Sequence, residues 1–340
     1  GILASLLTAV VVSQLLLELI ADSRRFGTAK AFGAVAAENP KAARDFNFVG
    51  RRKQFYILSA SIIAVGLAVG GLRGFNTGID FTGGTVLQFN TGHAIEVNEI
   101  RDVLAEQGID ADIQHAGADN EKIILKTTAV LTSDERDELA AAIRGGLSIT
   151  TPEESFVEQA GLIGPSVGSQ LKASALKAIL LSSAAMLVYI AVRFEWKFGV
   201  AAILALLHDA LMLFAFYGLF HVQMNSPFIA GLLIVIGYSI NDTIVVFDRI
   251  RENQYYLKKN KLDSIIEMSI TQSLGRSLMT SLTTVVAILP LVFLSGSSVR
   301  AFAMPLIAGV AFGTLSSITI ASGLYYTITK LTGKSKYRGA

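Results

Sequence analysis

Six stretches of this chain, at roughly 55–73, 172–192, 198–220, 227–247, 274–294 and 301–328, are apolar runs with hardly a charge, close to the ~20 residues that cross a bilayer as a helix. In hydrocarbon the backbone has to satisfy its own hydrogen bonds, so each run is an α-helix or is not there at all. With 52% of residues apolar and 16% charged, the chain reads as a polytopic α-helical membrane protein. Residues 1–20 form a further apolar helix without the n-region and cleavage site of a signal peptide, so the chain reads as the continuation of something longer. It has no cysteine, which removes disulfides and thiolate metal sites from consideration.

Charge placement orients the spans. The 21–54 linker holds Arg24, Arg25, Lys30, Lys41, Arg44, Arg51, Arg52 and Lys53, which puts it on the cytoplasmic side. Alternation then assigns Arg193 to Lys197, the basic 248–273 stretch and the 330–340 tail to the same side, and 74–171 to the outside. Phe194, Trp196 and Phe198 read as an interfacial aromatic anchor. Leu262, Ile265, Ile266 and Ile270 predict an amphipathic helix on the membrane face within a cytoplasmic segment, 252–272, of the five-helix bundle 172–329.

Residues 74–171 are too long and too patterned for a loop. Strands are expected at 85–90, 112–115, 122–127 and around 155–159. One helix carries Val97, Ile100, Val103 and Leu104 and ends at Gly108; another begins with the capping-box pattern Thr132/Glu135. The β-α-β-β-α-β order predicts an inserted α+β domain of ferredoxin-like arrangement, external to the membrane. Glycine-rich segments bracket it: Gly78, Asp80, Gly83 and Gly84 lie in FNTGIDFTGG at 75–84, and Gly164 and Pro165 mark re-entry into the bilayer. Both read as hinges or as rigid connectors.

Ionisable groups inside spans are the candidate site, because a charge in hydrocarbon is expensive. Asp242 lies in the 227–247 run with Tyr238 and Asn241 in its helical neighbourhood. Arg276 opens the next run, followed by a stripe of hydroxyls that includes Ser277, Thr280 and Ser281. Asp242 reads either as an ion-path carboxylate or as a static helix-to-helix hydrogen bond; Arg276 pairs with it or snorkels to the headgroups. A carboxyl releases a proton as an arginine partner approaches and takes one up as it withdraws. His208 and Asp209 make a third intramembrane polar point, for packing or for transport. His93, His115 and His221 show no ligand spacing.

Other chemistries fail on spacing. Gly333-Lys334-Ser335 lacks the upstream glycine of a phosphate loop, and neither His-Glu-x-x-His nor Gly-x-Ser-x-Gly occurs. Asp209 and Asp242 sit in Leu-His-Asp and Ile-Asn-Asp, which do not match an intramembrane aspartyl protease.

FNTGIDFTGG at 75–84, Leu207-His208-Asp209, IGYSINDTIVVFDRIREN at 236–253 and Gly275-Arg276-Ser277 together resemble the SecF half of the bacterial SecDF protein-export family, over about residues 40–330. Residues 1–20 resemble the last helix of the SecD half. The resemblance implies a member of the resistance-nodulation-division superfamily in the bacterial inner membrane, with 74–171 periplasmic and 55–73 the first SecF-like helix. It also implies action beside the SecYEG channel, on unfolded preproteins, with a SecD-like half and YajC as partners and no nucleic acid. It places ion coupling on Asp242 and Arg276, driven by a proton or sodium gradient with no bound cofactor and no enzymatic step. Two other readings remain at this point, a small-molecule or lipid exporter and a passive subunit of the channel.

Overall fold

The computed structural model describes residues 11–21, 46–117, 119–147, 149, 151–257 and 260–333. The chain divides into two units, 1–46 and 47–340. The first contains helix α1 (Ser13–Ala21), whose leucines are exposed. Residues 1–10 of the expected opening helix, most of the 21–54 linker and residues 334–340 lie outside the described residues.

In the second unit, six helical stretches are long and apolar enough to cross a membrane among the described residues. They are α2 (Arg52–Arg73), α7 (Pro165–Arg193), α8 (Trp196–Phe220), α9 (Ser226–Tyr256), α10 (Leu262–Leu294), and a last span made of α11 (Ser297–Ser316), a π-helical turn (Ser317–Ala321) and α12 (Ser322–Leu331). The protein is therefore a multi-pass membrane protein, mostly helical. Apolar side chains on α2, α7 and α10 point outward in rows (Ile57, Leu180, Leu181, Val192, Met279, Phe293), as lipid or a partner requires.

Close packing inside the bundle rests on small residues. Gly66 and Gly70 of α2 meet α8 at Ala215 and Gly218, where an added Cβ would come within 2.6 Å of Ala215 Cβ and 2.9 Å of Gly218 Cα. Gly309 and Gly313 of α11 face Val235 and Ser239 of α9 in the same way. Both pairs are spaced four apart, the pattern that brings two helix backbones together where hydrophobic burial supplies no drive. Between these seams, Phe198 stacks on Tyr325 at 3.9 Å and meets Phe247 at 5.0 Å.

Between α2 and α7 the chain forms a single helical turn α3 (Ile79–Thr82), strand β1 (Gly84–Asn90), α4 (Val97–Glu106), β2 (Asp112–Ala116), β3 (Lys122–Thr127), α5 (Ser133–Gly146), a short turn α6 (Glu153–Phe156) and β4 (Val157–Ile163). The four strands make one antiparallel sheet in the order β2-β3-β1-β4. Leu87, Phe89, Ile123 and Leu125 bury one face of it under Ile100 and Leu104 of α4 and Leu139 and Ile143 of α5. Thr132 caps α5, with the reciprocal Glu135 contact in place. The last strand lies two residues later than expected, because Pro152 starts α6 before the chain extends.

Contacts sort the ends of the helices into two groups. At one end Arg251 donates to the Arg193 carbonyl, Lys197 to that of Gly333, and Glu267 accepts the amides of Phe48 and Val49. At the other, residues 76–80 meet 221–226, and Phe81 meets Gly168. The expected amphipathic helix on the membrane face is not separate. Residues 262–272 are the first turns of α10; Ile266 and Ile270 join the bundle core and Ile265 is buried, because α9 also continues past the apolar run and covers them. The aromatic anchor is reduced to Trp196, since Phe194 and Phe198 turn inward.

Candidate functional site

Asp242 is 5% exposed in the middle of α9. Its carboxylate has one hydroxyl on each oxygen: Ser277 Oγ of α10 lies 2.5 Å from Oδ1, and Ser317 Oγ, the first residue of the π-helical turn, lies 2.6 Å from Oδ2. Three elements thus converge on one acid. A π turn is a frequent mark of function within an α-helix, and here it presents the side chain that closes the carboxylate's coordination. Around it, Ser281 and Thr314 share a hydrogen bond, and Tyr238 reaches Ser281 and Thr284 at 3.4 Å each.

Asp209 of α8 is still more enclosed, at 1% exposure. Ser239 of α9 donates to its Oδ2, and His208 Nδ1 lies 2.9 Å from Oδ1. His208 Nε2 is buried with no hydrogen-bond partner among the described residues. Ser239 precedes Asp242 by three residues, so the two acids address the same face of α9 one turn apart. The 309–313 glycine pair sets this up by letting α11 lie against Val235 and Ser239, which carries Ser317 to Asp242.

Arg276 does not form the expected ion pair. Its side chain is exposed, while its neighbour Ser277 points at Asp242. The hydroxyl stripe splits into two rows about 100° apart on the helix. Ser273, Ser277 and Ser281 are buried; Arg276, Thr280 and Thr283 face outward, with Thr280 and Thr283 bonded back to carbonyls of their own helix. Asn241 is likewise exposed on α9. Among the supporting residues expected around Asp242, Tyr238 joins the serine network, whereas Asn241 and Thr280 do not.

The glycine segment at 75–84 is tied down. Gly78 donates its amide to Met224 O (2.7 Å), Met224 donates to Asn76 O (2.7 Å), and Asp80 Oδ2 accepts the Ser226 amide at the start of α9 (2.8 Å). Gly83 (φ 81°) ends α3. At Gly84 (φ 150°) a Cβ would press on Thr127 O and lie 3.0 Å from Ile79 Cγ2. Gly164 caps α7 and Pro165 takes its first position, where a missing amide costs nothing. His115 bonds Ile95 O, and His221 ends α8 in the left-handed region.

A serine hydroxyl donates to a carboxylate or accepts from a carboxylic acid by rotating its proton. The Asp242 pocket is therefore hydrogen-bonded in both protonation states without moving a helix. Ser239, Thr314 and Ser317 were not singled out by sequence. The available signal was the four-residue spacing from Gly309 through Gly313 to Ser317, which places the hydroxyl on the close-packed seam.

The family model described as "Protein export membrane protein SecD/SecF, C-terminal" matches residues 148–331. The chain is 39% identical over 293 residues to the protein translocase subunit SecF of Calditerrivibrio nitroreducens, covering 84% of this chain and 95% of that one. It is 36% identical over 332 residues to the protein translocase subunit SecDF of Thermus thermophilus, covering 95% of this chain but only 43% of that one. The crystal structure of SecDF from the same organism, titled a translocon-associated membrane protein, superposes with a TM-score of 0.70 at 38% identity, over 83% of this chain and 38% of that one. By these matches the chain belongs to the SecD/SecF family of protein-export membrane proteins.

Proposed function

We propose that the chain is the SecF part of a Sec translocon accessory complex that uses an ion gradient across the bacterial inner membrane to drive preprotein export. The observation that carries this reading is the Asp242 pocket: a carboxyl within a span, shielded from lipid by three elements and bonded by hydroxyls suited to both of its protonation states. Protonation neutralises Asp242 and reverses one of its two serine hydrogen bonds, the carboxyl O–H then donating to that serine while the other serine still donates to the carbonyl oxygen, which alters the attraction among α9, α10 and the π turn. Asp209 and His208 of α8, joined to α9 through Ser239 one turn before Asp242, extend the polar path. The four-stranded domain, ferredoxin-like in its β-α-β-β-α-β order, is periplasmic in this reading and moves in response. A SecD-like half covers the outward face of α10 and supplies the acid that Arg276 lacks among the described residues. SecYEG, YajC and the emerging unfolded chain are the remaining partners. Names of relatives as translocase subunits support the assignment over a small-molecule or lipid exporter.

The test is Asp242→Asn in the full two-half protein, with export measured in membrane vesicles while proton and sodium gradients are varied separately. Loss of only the gradient-dependent part, at normal assembly, identifies a motor and its ion. Unchanged export refutes the coupling role and leaves a passive subunit.

A further inference from the structure

The FNTGIDFTGG segment is placed as a mechanical joint. Its first residues lie parallel to the α8–α9 connection, with Thr77 bridged to Met224, and two backbone hydrogen bonds of 2.7 Å join Gly78 and Asn76 to Met224. Asn76 Nδ2 also reaches His221 O. Asp80 then accepts the Ser226 amide, so the first free N–H of α9 is closed by a carboxylate from another element. Such a bond is charge-assisted and lies where the helix dipole favours an anion. On the other side of α3, the Phe81 carbonyl packs against Gly168 of α7 so closely that a Cβ there would lie 2.6 Å from it. Two residues after α3 the chain enters β1, which sits inside the sheet between β3 and β4.

We infer that Asp80 is a positioning residue that keeps the start of α9 fastened to the 76–82 segment, so that displacement of the Asp242 helix is delivered to β1. Asp242 lies sixteen residues beyond Ser226, about 24 Å along a stiff helix. The connection from α3 to β1 is the single residue Gly83, and Gly84, which opens β1, is pressed against Thr127 of β3. This segment is therefore a closed coupling and not a free hinge: it stays bonded while α9 moves. The inference rests on the ion-driven reading of Asp242 and adds to it the route by which force leaves the membrane.

This chain has no cysteine, so a disulfide formed within it comes from the introduced pair, and the test is run in the full two-half protein. Residues paired across adjacent strands stand about 4.7–4.9 Å apart, within the ~4.4–6.8 Å that a disulfide spans. Thr77→Cys with Met224→Cys therefore locks the joint. Asp80→Ala is expected to reach normal membrane levels and lose the gradient-dependent increment of export. Asp80→Asn, which keeps an oxygen acceptor, is expected to retain it. The locked pair is expected to export as well as its parent, and to restore the increment to Asp80→Ala until a reductant is added; a merely structural contribution would show no such redox dependence. Two results overturn the inference: full gradient-dependent export by Asp80→Ala, or export abolished by the disulfide in the parent and recovered on reduction, which means the joint has to open. Asp242→Asn is run alongside. If it keeps the increment, the ion-driven reading itself has failed; if it loses the increment while Asp80→Ala does not, only the joint has failed.

Discussion

Replacing Gly309 with alanine puts a methyl group where α9 and α11 have no room for one. The new Cβ would lie 2.6 Å from Val235 Cγ1 and 2.9 Å from its Cβ, against an ordinary carbon contact of about 3.5–4.0 Å. Val235 is buried and β-branched, with essentially one helical rotamer, so it does not swing aside. The helices have to part by about 1 Å. Ser317 lies eight residues further along the same span, and its 2.6 Å contact with Asp242 then stretches to about 3.6 Å, which is no longer a hydrogen bond. Overpacking costs about 1–3 kcal/mol and the lost bond to a carboxylate about 1.5–3 kcal/mol, so destabilisation of about 2.5–6 kcal/mol is expected. Thermal or detergent-induced unfolding of the full-length protein reads this out, alongside gradient-dependent export, which should fall, as it is also expected to in Ser317→Ala. Because the clash is with the Val235 methyls, Gly309→Ala combined with Val235→Ala should recover much of the loss, a coupling of about 1–3 kcal/mol in a double-mutant cycle. A double variant no better than Gly309→Ala alone would refute the argument that this one contact sets the Asp242–Ser317 distance.

Two further outcomes are expected. Thr132→Ala removes the side-chain half of the α5 cap, leaving the backbone amide of residue 132 on Glu135, and should lower the protection of the first-turn amides to hydrogen exchange, by about 0.5–2 kcal/mol. Hydrogen bonds from the Thr132 backbone amide, and then from its side chain, hold the Glu135 carboxyl below the ordinary glutamate range. Its contribution is therefore present above the unfolded value and disappears as pH falls through the folded one, so α5 protection should drop in acid in the parent and show a flatter acid limb in Thr132→Ala. Phe198→Ala, which empties the site between Tyr325 and Phe247, should cost about 3–5 kcal/mol in the same unfolding assay; a loss below 1 kcal/mol would mean the aromatic stack does not hold α8 to the last span.

Long-range burial and periodicity made much of the architecture legible. The six apolar runs, the order of strands and helices between 84 and 163, the Thr132 cap and the isolation of Asp209 and Asp242 within spans all follow from patterns of one to four residues. What those patterns leave open is azimuth. Ser277 and Arg276 are adjacent in sequence and equally plausible partners for Asp242; which one faces it depends on how α10 is rotated, and that is set by Ser273, Ser277 and Ser281 packing together. The same holds for Phe198, whose place beside Arg193 suggested an interface, while its contact with Tyr325 comes from the other end of the chain. Asp80 was visible as part of a glycine-rich motif, but its partner, a backbone amide at 226, carries no side-chain signature.

The π-helical turn has a further consequence for the spacing of the last span. Ser322 Oγ reaches back to the Ser317 carbonyl at 3.1 Å across the wide turn. Such a turn stores one residue more than an uninterrupted α-helix needs, and every side chain after it is phased by about 100° and ~1.5 Å relative to those before it. The two halves of the span therefore answer to different neighbours. Gly309, Gly313 and Ser317 are phased for α9, and Tyr325 is phased for Phe198 of α8. A deletion of a single residue between 318 and 321 would leave a perfectly good helix in which only one of those two alignments can be kept.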